Sequence, residues 1–236
     1  FAEFQAPELL NRFKSDENLQ VEVGTTAGKV IMSLNNARAP FDNQKFRQAL
    51  AHAIDRTAFI DAVSSGYGAP IGSHYTPVDQ GYIDLNDVYP YDPEKAKQLL
   101  EEAGWVEGSD GIRVKDGQRL SFTLVTDSGS KQYESIIMIV QEDWEKIGVE
   151  MKPEFLEWSV LCSQYLDVAK FEAYMLGWSL GLDPDFYIFF HSDSAVDEEG
   201  NLLGFNDVEF KNDRLDELLE QGRKEMDQEK RREIYF

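Results

Sequence analysis

The 236 residues contain one cysteine, three histidines and no long apolar run. The single thiol, Cys162, excludes an internal disulfide and a cysteine-rich zinc or iron–sulfur site. No apolar stretch approaches the about 18 residues that a membrane-spanning helix needs. Cations are scarce as well, because 23 Lys and Arg stand against 44 Asp and Glu, for a formal net charge of −21. That charge repels nucleic-acid phosphates, so no nucleic-acid partner is expected. We interpret it as a solubilising surface, with selection of cationic ligands as the alternative.

Residue patterns for catalysis or metal binding are also few. The histidines are His52, His74 and His191. None of them lies in a recognisable nucleophile motif, and Cys162 has no base beside it to lower the pKa of its thiol. Asp183, Asp185 and His191 offer oxygen and nitrogen donors, but their spacing matches no EF-hand and no His-Glu-x-x-His pattern. We therefore predict no catalytic residue, no metal site and no cofactor. A hydrolase that uses a pair of acidic residues remains the enzymatic alternative.

Apolar spacing predicts several amphipathic helices. Asp42 is predicted to cap a helix that carries Phe46 and Leu50, followed by a second helix over 58–63. Asp92-Pro93 begins another helix, Ser130 opens one more, and Gly148 follows its end. A helix over 157–169 and two acidic amphipathic helices near the end of the chain complete the set. The stretch 66–90 has no period and is predicted to be a loop that is functional or wraps a partner lobe.

Extended segments are predicted at 21–23, 30–32, 120–125, 149–155 and 171–177, where apolar residues alternate or run together. The order strand, helix, strand between 120 and 155 favours a crossover connection packed on a sheet. With 42% apolar residues the chain can bury a substantial core. The predicted fold class is therefore an α/β lobe.

Two tryptophans follow strands in this scheme. Trp158 opens a helix after one predicted strand, and Trp178 closes another, at the carboxyl end where an open sheet presents its edge to ligands. An indole ring there gives flat, adaptable contact area, although a core position is the alternative for both residues.

Four segments together resemble the family 5, or peptide/nickel, class of solute-binding proteins of ABC importers. They are the helix region from Pro40-Phe41-Asp42-Asn43 to Asp55-Arg56, the helix from Tyr91-Asp92-Pro93 to Ala103-Gly104, Leu176-Gly177-Trp178 with Asp183-Pro184, and the stretch from Gly204-Phe205-Asn206 to Arg231-Arg232-Glu233. Their order and spacing agree with the family over about residues 26–236.

The resemblance implies a periplasmic-binding-protein-like (type II) lobe, with a mixed sheet flanked by helices. Residues 1–25 would form a connector near the hinge, and 26–236 a C-terminal ligand-binding lobe truncated at its own C-terminus. The intact protein would be a monomer outside the cytoplasmic membrane that captures peptides and delivers them to the ABC permease. Open alternatives are an oligosaccharide, a nickel chelate, or a ligand-sensing ectodomain built on the same lobe.

The resemblance also implies the ligand contacts. Trp158 and Trp178 occupy the positions where peptide-binding members place aromatic rings against the ligand, and Ser179 continues the second motif. Such members often hold the ligand's ammonium on an aspartate three residues after the second tryptophan, and here that residue is Gly181. The amine anchor is therefore absent unless Asp183 replaces it.

Overall fold

The computed structural model describes residues 7–64, 66–79, 82–179, 181 and 183–235. The helices are α1 (Pro7–Lys14), α2 (Gln44–His52), α3 (Arg56–Ser64), α4 (Pro93–Glu102), α5 (Lys131–Glu145), α6 (Trp158–Leu161), α7 (Tyr187–Phe190), α8 (Asp213–Lys224) and α9 (Gln228–Tyr235). The strands are β1 (Gly28–Leu34), β2 (Val106–Glu107), β3 (Arg113–Lys115), β4 (Gln118–Arg119), β5 (Ser121–Asp127), β6 (Glu150–Leu156) and β7 (Ala173–Ser179). Among these described residues, no helix combines the length and apolarity needed to cross a membrane.

A four-stranded mixed sheet organises the chain, in the order β1-β7-β5-β6. Strands β5, β6 and β7 are parallel to one another, and β1 runs antiparallel to β7. Helix α5 connects β5 to β6, which is the predicted crossover. Because the three parallel strands share a direction, their carboxyl ends meet at one edge of the sheet, where Gly28 of β1 also lies opposite Ser179.

Helices cover both faces of this sheet. Alternate residues of β7 point to opposite faces, so Ala173 and Met175 join one core cluster while Tyr174 and Leu176 join the other. The larger cluster contains the apolar sides of α2, α4 and α5, and Trp144 lies fully buried within it. This mixed sheet between helical layers confirms the predicted α/β fold class.

The helix starts follow the capping signals in the sequence. The side chains of Asp92 and Ser130 accept backbone N–H groups at the starts of α4 and α5, as predicted. Helix α2 differs, because its cap is Asn43 and not the predicted Asp42; the Asn43 side chain accepts from the N–H groups of Lys45 and Phe46.

Three predicted features of secondary structure were wrong or incomplete. Residues 21–23 form no strand, and the Val23 side chain stays 55% exposed instead of packing on the sheet. The helix over 157–169 is shorter, because α6 passes into a π-helical turn at Cys162–Leu166. The separate sheet β2-β3-β4 was not predicted. Its second hairpin turns at Asp116-Gly117, where both φ angles are positive, so this dipeptide was an available signal.

Candidate ligand site at the carboxyl edge of the sheet

Strand β7 stops pairing with β5 before the last residues of β7. It pairs with β5 at Ala173 and Tyr174, whereas β5 and β6 pair along seven residues. Beyond that point the Gly177 N–H donates to the Tyr133 hydroxyl, 2.8 Å away. A Cβ at position 177 would lie 2.5 Å from the same oxygen, so a larger residue would displace the end of the Tyr133 side chain. The last residues of β7 therefore pair with β1 on one side and form an open border of the sheet on the side of β5.

Two cavities meet at this border. The edge cavity, of about 790 Å³, is bordered by β1, residues 68–74, α5 and the end of β7. The aromatic cavity, of about 440 Å³, is lined by residues of β1 and by Phe189, Phe190, Phe205 and Phe210. Both volumes fall in the range of small-molecule sites, roughly 300–1,000 Å³. The cavities share the lining residues Lys29, Ile31, Met32, His74 and Trp178.

Trp178 therefore stands at the junction of the two cavities. Its partly buried ring contacts Phe189 edge-on, with the ring centroids 5.6 Å apart. The indole Nε1 is buried and has no hydrogen-bond acceptor within the described part of the chain. A buried donor without an acceptor costs free energy, about 1–3 kcal/mol, and is suited to a group that arrives from outside.

Lys29 lies directly opposite Trp178 in the β1–β7 pair, so both side chains extend from the same face of the sheet. The lysine is buried, its Nζ donates to the His74 carbonyl oxygen, and Nζ lies 5.1 Å from the centroid of the Phe186 ring. Burial lowers the pKa of the ammonium, and the negative charge of Asp79 offsets part of that effect.

His74 is the third polar residue that borders both cavities. Burial, together with the positive charge of Lys29, lowers the pKa of the His74 imidazole to about 4. The ring is therefore neutral at pH 7, and it contacts Phe190 with the centroids 4.6 Å apart.

Asp207 lies at the wall of the aromatic cavity and is almost fully buried. Its Oδ1 lies 3.4 Å from the Tyr174 hydroxyl, which donates to it. Burial raises the pKa of the Asp207 carboxyl to about 7, and the hydrogen bonds from Tyr174 and from the Val208 N–H offset part of that shift.

The structure brings some of the predicted ligand contacts together and separates others. Trp178 and Ser179 border the edge cavity. Trp158 begins α6 just after β6, so it lies along the same edge of the sheet, but the residue is 54% exposed and borders neither cavity. Gly181 is exposed and also lies outside both.

The carboxylate of Asp183 is engaged by Arg231. Its two oxygens lie 2.7 and 3.1 Å from the guanidinium nitrogens, and this contact lowers the pKa of Asp183. Asp185 is similarly paired with Arg223 at 3.0 Å. Neither pair is arranged around a metal, and within residues 7–64, 66–79, 82–179, 181 and 183–235 no group of three or more His, Cys, Asp or Glu could hold one.

Sequence reasoning missed Lys29, His74 and Tyr133 as residues of the site. The only available signal was the aperiodic stretch 66–90, predicted to be functional or to wrap a partner lobe, which supplies residues 68–74 of the edge cavity.

The comparisons place the chain in a family. The model described as "Bacterial extracellular solute-binding proteins, family 5 Middle" matches residues 1–198. The chain therefore belongs to the family 5 bacterial extracellular solute-binding proteins, which confirms the resemblance seen in the sequence.

Individual relatives agree with that assignment. The oligopeptide-binding protein AppA of Bacillus subtilis is 37% identical over 210 residues, which cover 87% of this chain and 38% of AppA. The dipeptide-binding protein of Escherichia coli is 32% identical over 236 residues, covering 97% of this chain and 41% of the relative. The structure of B. subtilis AppA in complex with a nonapeptide matches with a TM-score of 0.85 and 34% identity, over 97% of this chain and 45% of AppA. The chain thus spans less than half the length of each of these proteins.

Proposed function

We propose that this chain provides a ligand-contacting lobe of an ABC-importer solute-binding protein that captures peptides outside the cytoplasmic membrane and delivers them to the permease. Residues 26–236 would form the C-terminal lobe, and 1–25 a connector near the hinge. The observation that carries the proposal is the position of Trp178, half-buried between two cavities with an indole N–H that has no acceptor among the described residues. The family and the peptide-binding relatives support peptides as the ligand class.

The proposed role is binding without catalysis. In the intact protein, a ligand held between two lobes would favour the closed conformation, because only that conformation contacts the ligand on both sides. Trp178 and Ser179 would form this lobe's central contacts, with Trp158, Gly181 and Asp183 further along the same border. Because Asp183 is engaged by Arg231, it is a poor replacement for an amine anchor.

The test is a peptide-binding measurement on the full-length protein. Calorimetric titration with peptides that co-purify with it should give a defined affinity, and Trp178→Ala should weaken that affinity at least tenfold, because the variant loses a large buried contact. Trp105→Phe is the matched control, since Trp105 is a buried ring that borders neither cavity.

Trp105→Phe should bind as the wild type does. If Trp178→Ala also kept the wild-type affinity, the proposed contact would be wrong. If the full-length protein bound no peptide, the proposed function would be wrong.

A further inference from the structure

The charge of the edge cavity is opposite in sign to that of the whole chain. The sequence has 44 Asp and Glu, yet none of the described residues that border this cavity is acidic. Two cationic residues, Lys29 and Arg56, border it instead. In a chain of net charge −21, a concave site that gathers only positive charge favours a negatively charged ligand.

The two cations differ in what they can still bind. The Arg56 guanidinium already donates to three carbonyl oxygens, including those of Ile71 at 3.2 Å and Tyr89 at 2.7 Å. The hydrogen bonds of Arg56 therefore hold the loop that contains Ile71 and Tyr89 in place. Lys29 has three N–H donors, and among the described residues only the His74 carbonyl oxygen accepts one.

The residues around the Lys29 ammonium leave those donors available. The charge of Asp79 acts on this ammonium, but the Asp79 carboxylate accepts hydrogen bonds from the backbone N–H and the hydroxyl of Thr76. Phe186 presents only a ring face to Nζ. A buried ammonium in such surroundings is stabilised by an incoming anion that can accept its hydrogen bonds.

Trp178, the cross-strand partner of Lys29, adds a second donor. Its Nε1–H is buried and has no acceptor in the part of the chain that the structure describes, and its side chain extends from the same face of the sheet as Lys29, directly across the strand pair. Lys29 and Trp178 thus border both cavities with N–H donors that have no acceptor among residues 7–64, 66–79, 82–179, 181 and 183–235. Such donors favour a ligand group that carries oxygen acceptors and negative charge, which is the chemistry of a carboxylate.

We propose that Lys29 and the indole N–H of Trp178 together bind a carboxylate of the ligand, so that the site selects peptides presenting an anionic group at this tryptophan. The proposal rests on the peptide-binding function proposed above and specifies its substrate class. Gly181 agrees with it, because a glycine offers no carboxylate to hold a ligand ammonium at this border. The carboxylate is either the peptide's C-terminus or an Asp or Glu side chain.

The experiment is a competition between peptides that differ in one charge. Full-length protein is incubated with equal amounts of three pentapeptide mixtures: acid-free sequences with a free C-terminus, the same sequences as C-terminal amides, and amides that contain one glutamate. The retained peptides are separated with the protein and quantified by mass spectrometry.

We expect the wild type to retain at least one carboxylate-bearing mixture roughly ten- to hundredfold over the neutral amides, the range for hydrogen bonds to a charged group. Preference for free C-termini identifies the peptide terminus as the source, and preference for glutamate amides identifies a side chain.

Three variants assign this preference to the two donors. Lys29→Met should bring the ratio close to one, and Trp178→Phe, which keeps a ring and loses the N–H, should lower it severalfold. Lys29→Arg should retain most of the preference. The control is Lys170→Met, an exposed lysine with the same change in charge, which should keep the wild-type ratio.

The possible failures are distinct. If wild-type protein retains all three mixtures equally, the carboxylate site is wrong and the peptide-binding function stands. The same conclusion follows if the wild type shows the preference but Lys29→Met and Trp178→Phe both keep it. If no mixture is retained, both proposals are wrong.

Discussion

Replacing Trp144 with alanine is expected to lower the free energy of unfolding by about 3–5 kcal/mol. Trp144 is 1% exposed and belongs to α5, from which its ring extends into the larger core cluster beside α2 and β5. Its centroid is 5.6 Å from that of Phe122, and its Nε1 donates to the Leu50 carbonyl oxygen at 3.1 Å. Alanine leaves both a cavity and an unpaired buried carbonyl, so two penalties add. Urea unfolding followed by circular dichroism measures the change.

Two further variants separate these penalties. Trp144→Phe keeps most of the ring and loses the hydrogen bond, and we expect it to cost about 1–3 kcal/mol. Trp158→Ala is the control for loss of an indole, because that ring is 54% exposed and a surface substitution usually changes stability by about 0.5 kcal/mol or less. Equal losses in Trp144→Ala and Trp158→Ala would contradict the burial on which this prediction depends.

Asp207 should make the stability of the protein fall as pH rises from about 4 to about 7. Its pKa is about 7 in the folded protein against 3.8 for an unperturbed side chain, because the carboxyl is buried. Between these values the folded protein holds a proton that the unfolded chain has released, so each increase in pH favours unfolding. The contribution of this group levels off above the folded pKa, after a loss of about 4 kcal/mol.

Asp207→Asn should remove that dependence, since the amide has a similar shape and no titrating proton. Compared with the wild type, the variant should gain stability from pH 4.5 to pH 8 by a large part of those about 4 kcal/mol. Denaturant unfolding of both proteins at each pH measures the difference. Glu198→Gln, at an exposed position, should give the same difference at both pH values. A constant difference for Asp207→Asn would show that its carboxyl is ionised throughout this range.

The sequence predicted most of the layers because local signals agree with the final fold. Helices α4 and α5 have side-chain caps at their first residues and apolar spacing that matches the buried face, so propensity, capping and packing select the same structure. The β5-α5-β6 crossover followed from element order alone. The strand predicted at residues 21–23 is absent for the opposite reason. Alternation of apolar residues is also compatible with an extended segment that pairs with no other strand.

The sequence predicted a residue of the candidate site only where its position relative to a strand was enough to place it at the edge of the sheet. Trp178 could be placed at the end of a strand, and the end of a parallel strand identifies the edge of the sheet. Lys29 could not be identified in the same way. A lysine in a short strand is usually exposed, and its burial here depends on pairing with Trp178, 149 positions later in the chain, and on the loop that contains His74. Such register between distant strands is a property of the tertiary fold and has no local signal.

The ion pair between Asp183 and Arg231 couples the segment after Trp178 to helix α9. Together with Asp185–Arg223, it attaches residues 183–185 to two helices that follow about 40 residues later. Exposed pairs of this kind contribute only about 0–1 kcal/mol each, but the coupling they provide is reciprocal. Ordering of this segment therefore stabilises α9 by the coupling free energy of the ion pair, and ordering of α9 stabilises the segment by the same amount, although α9 borders neither cavity. Because salt screens exposed charges, ionic strength acts on the border of the site through a helix outside it.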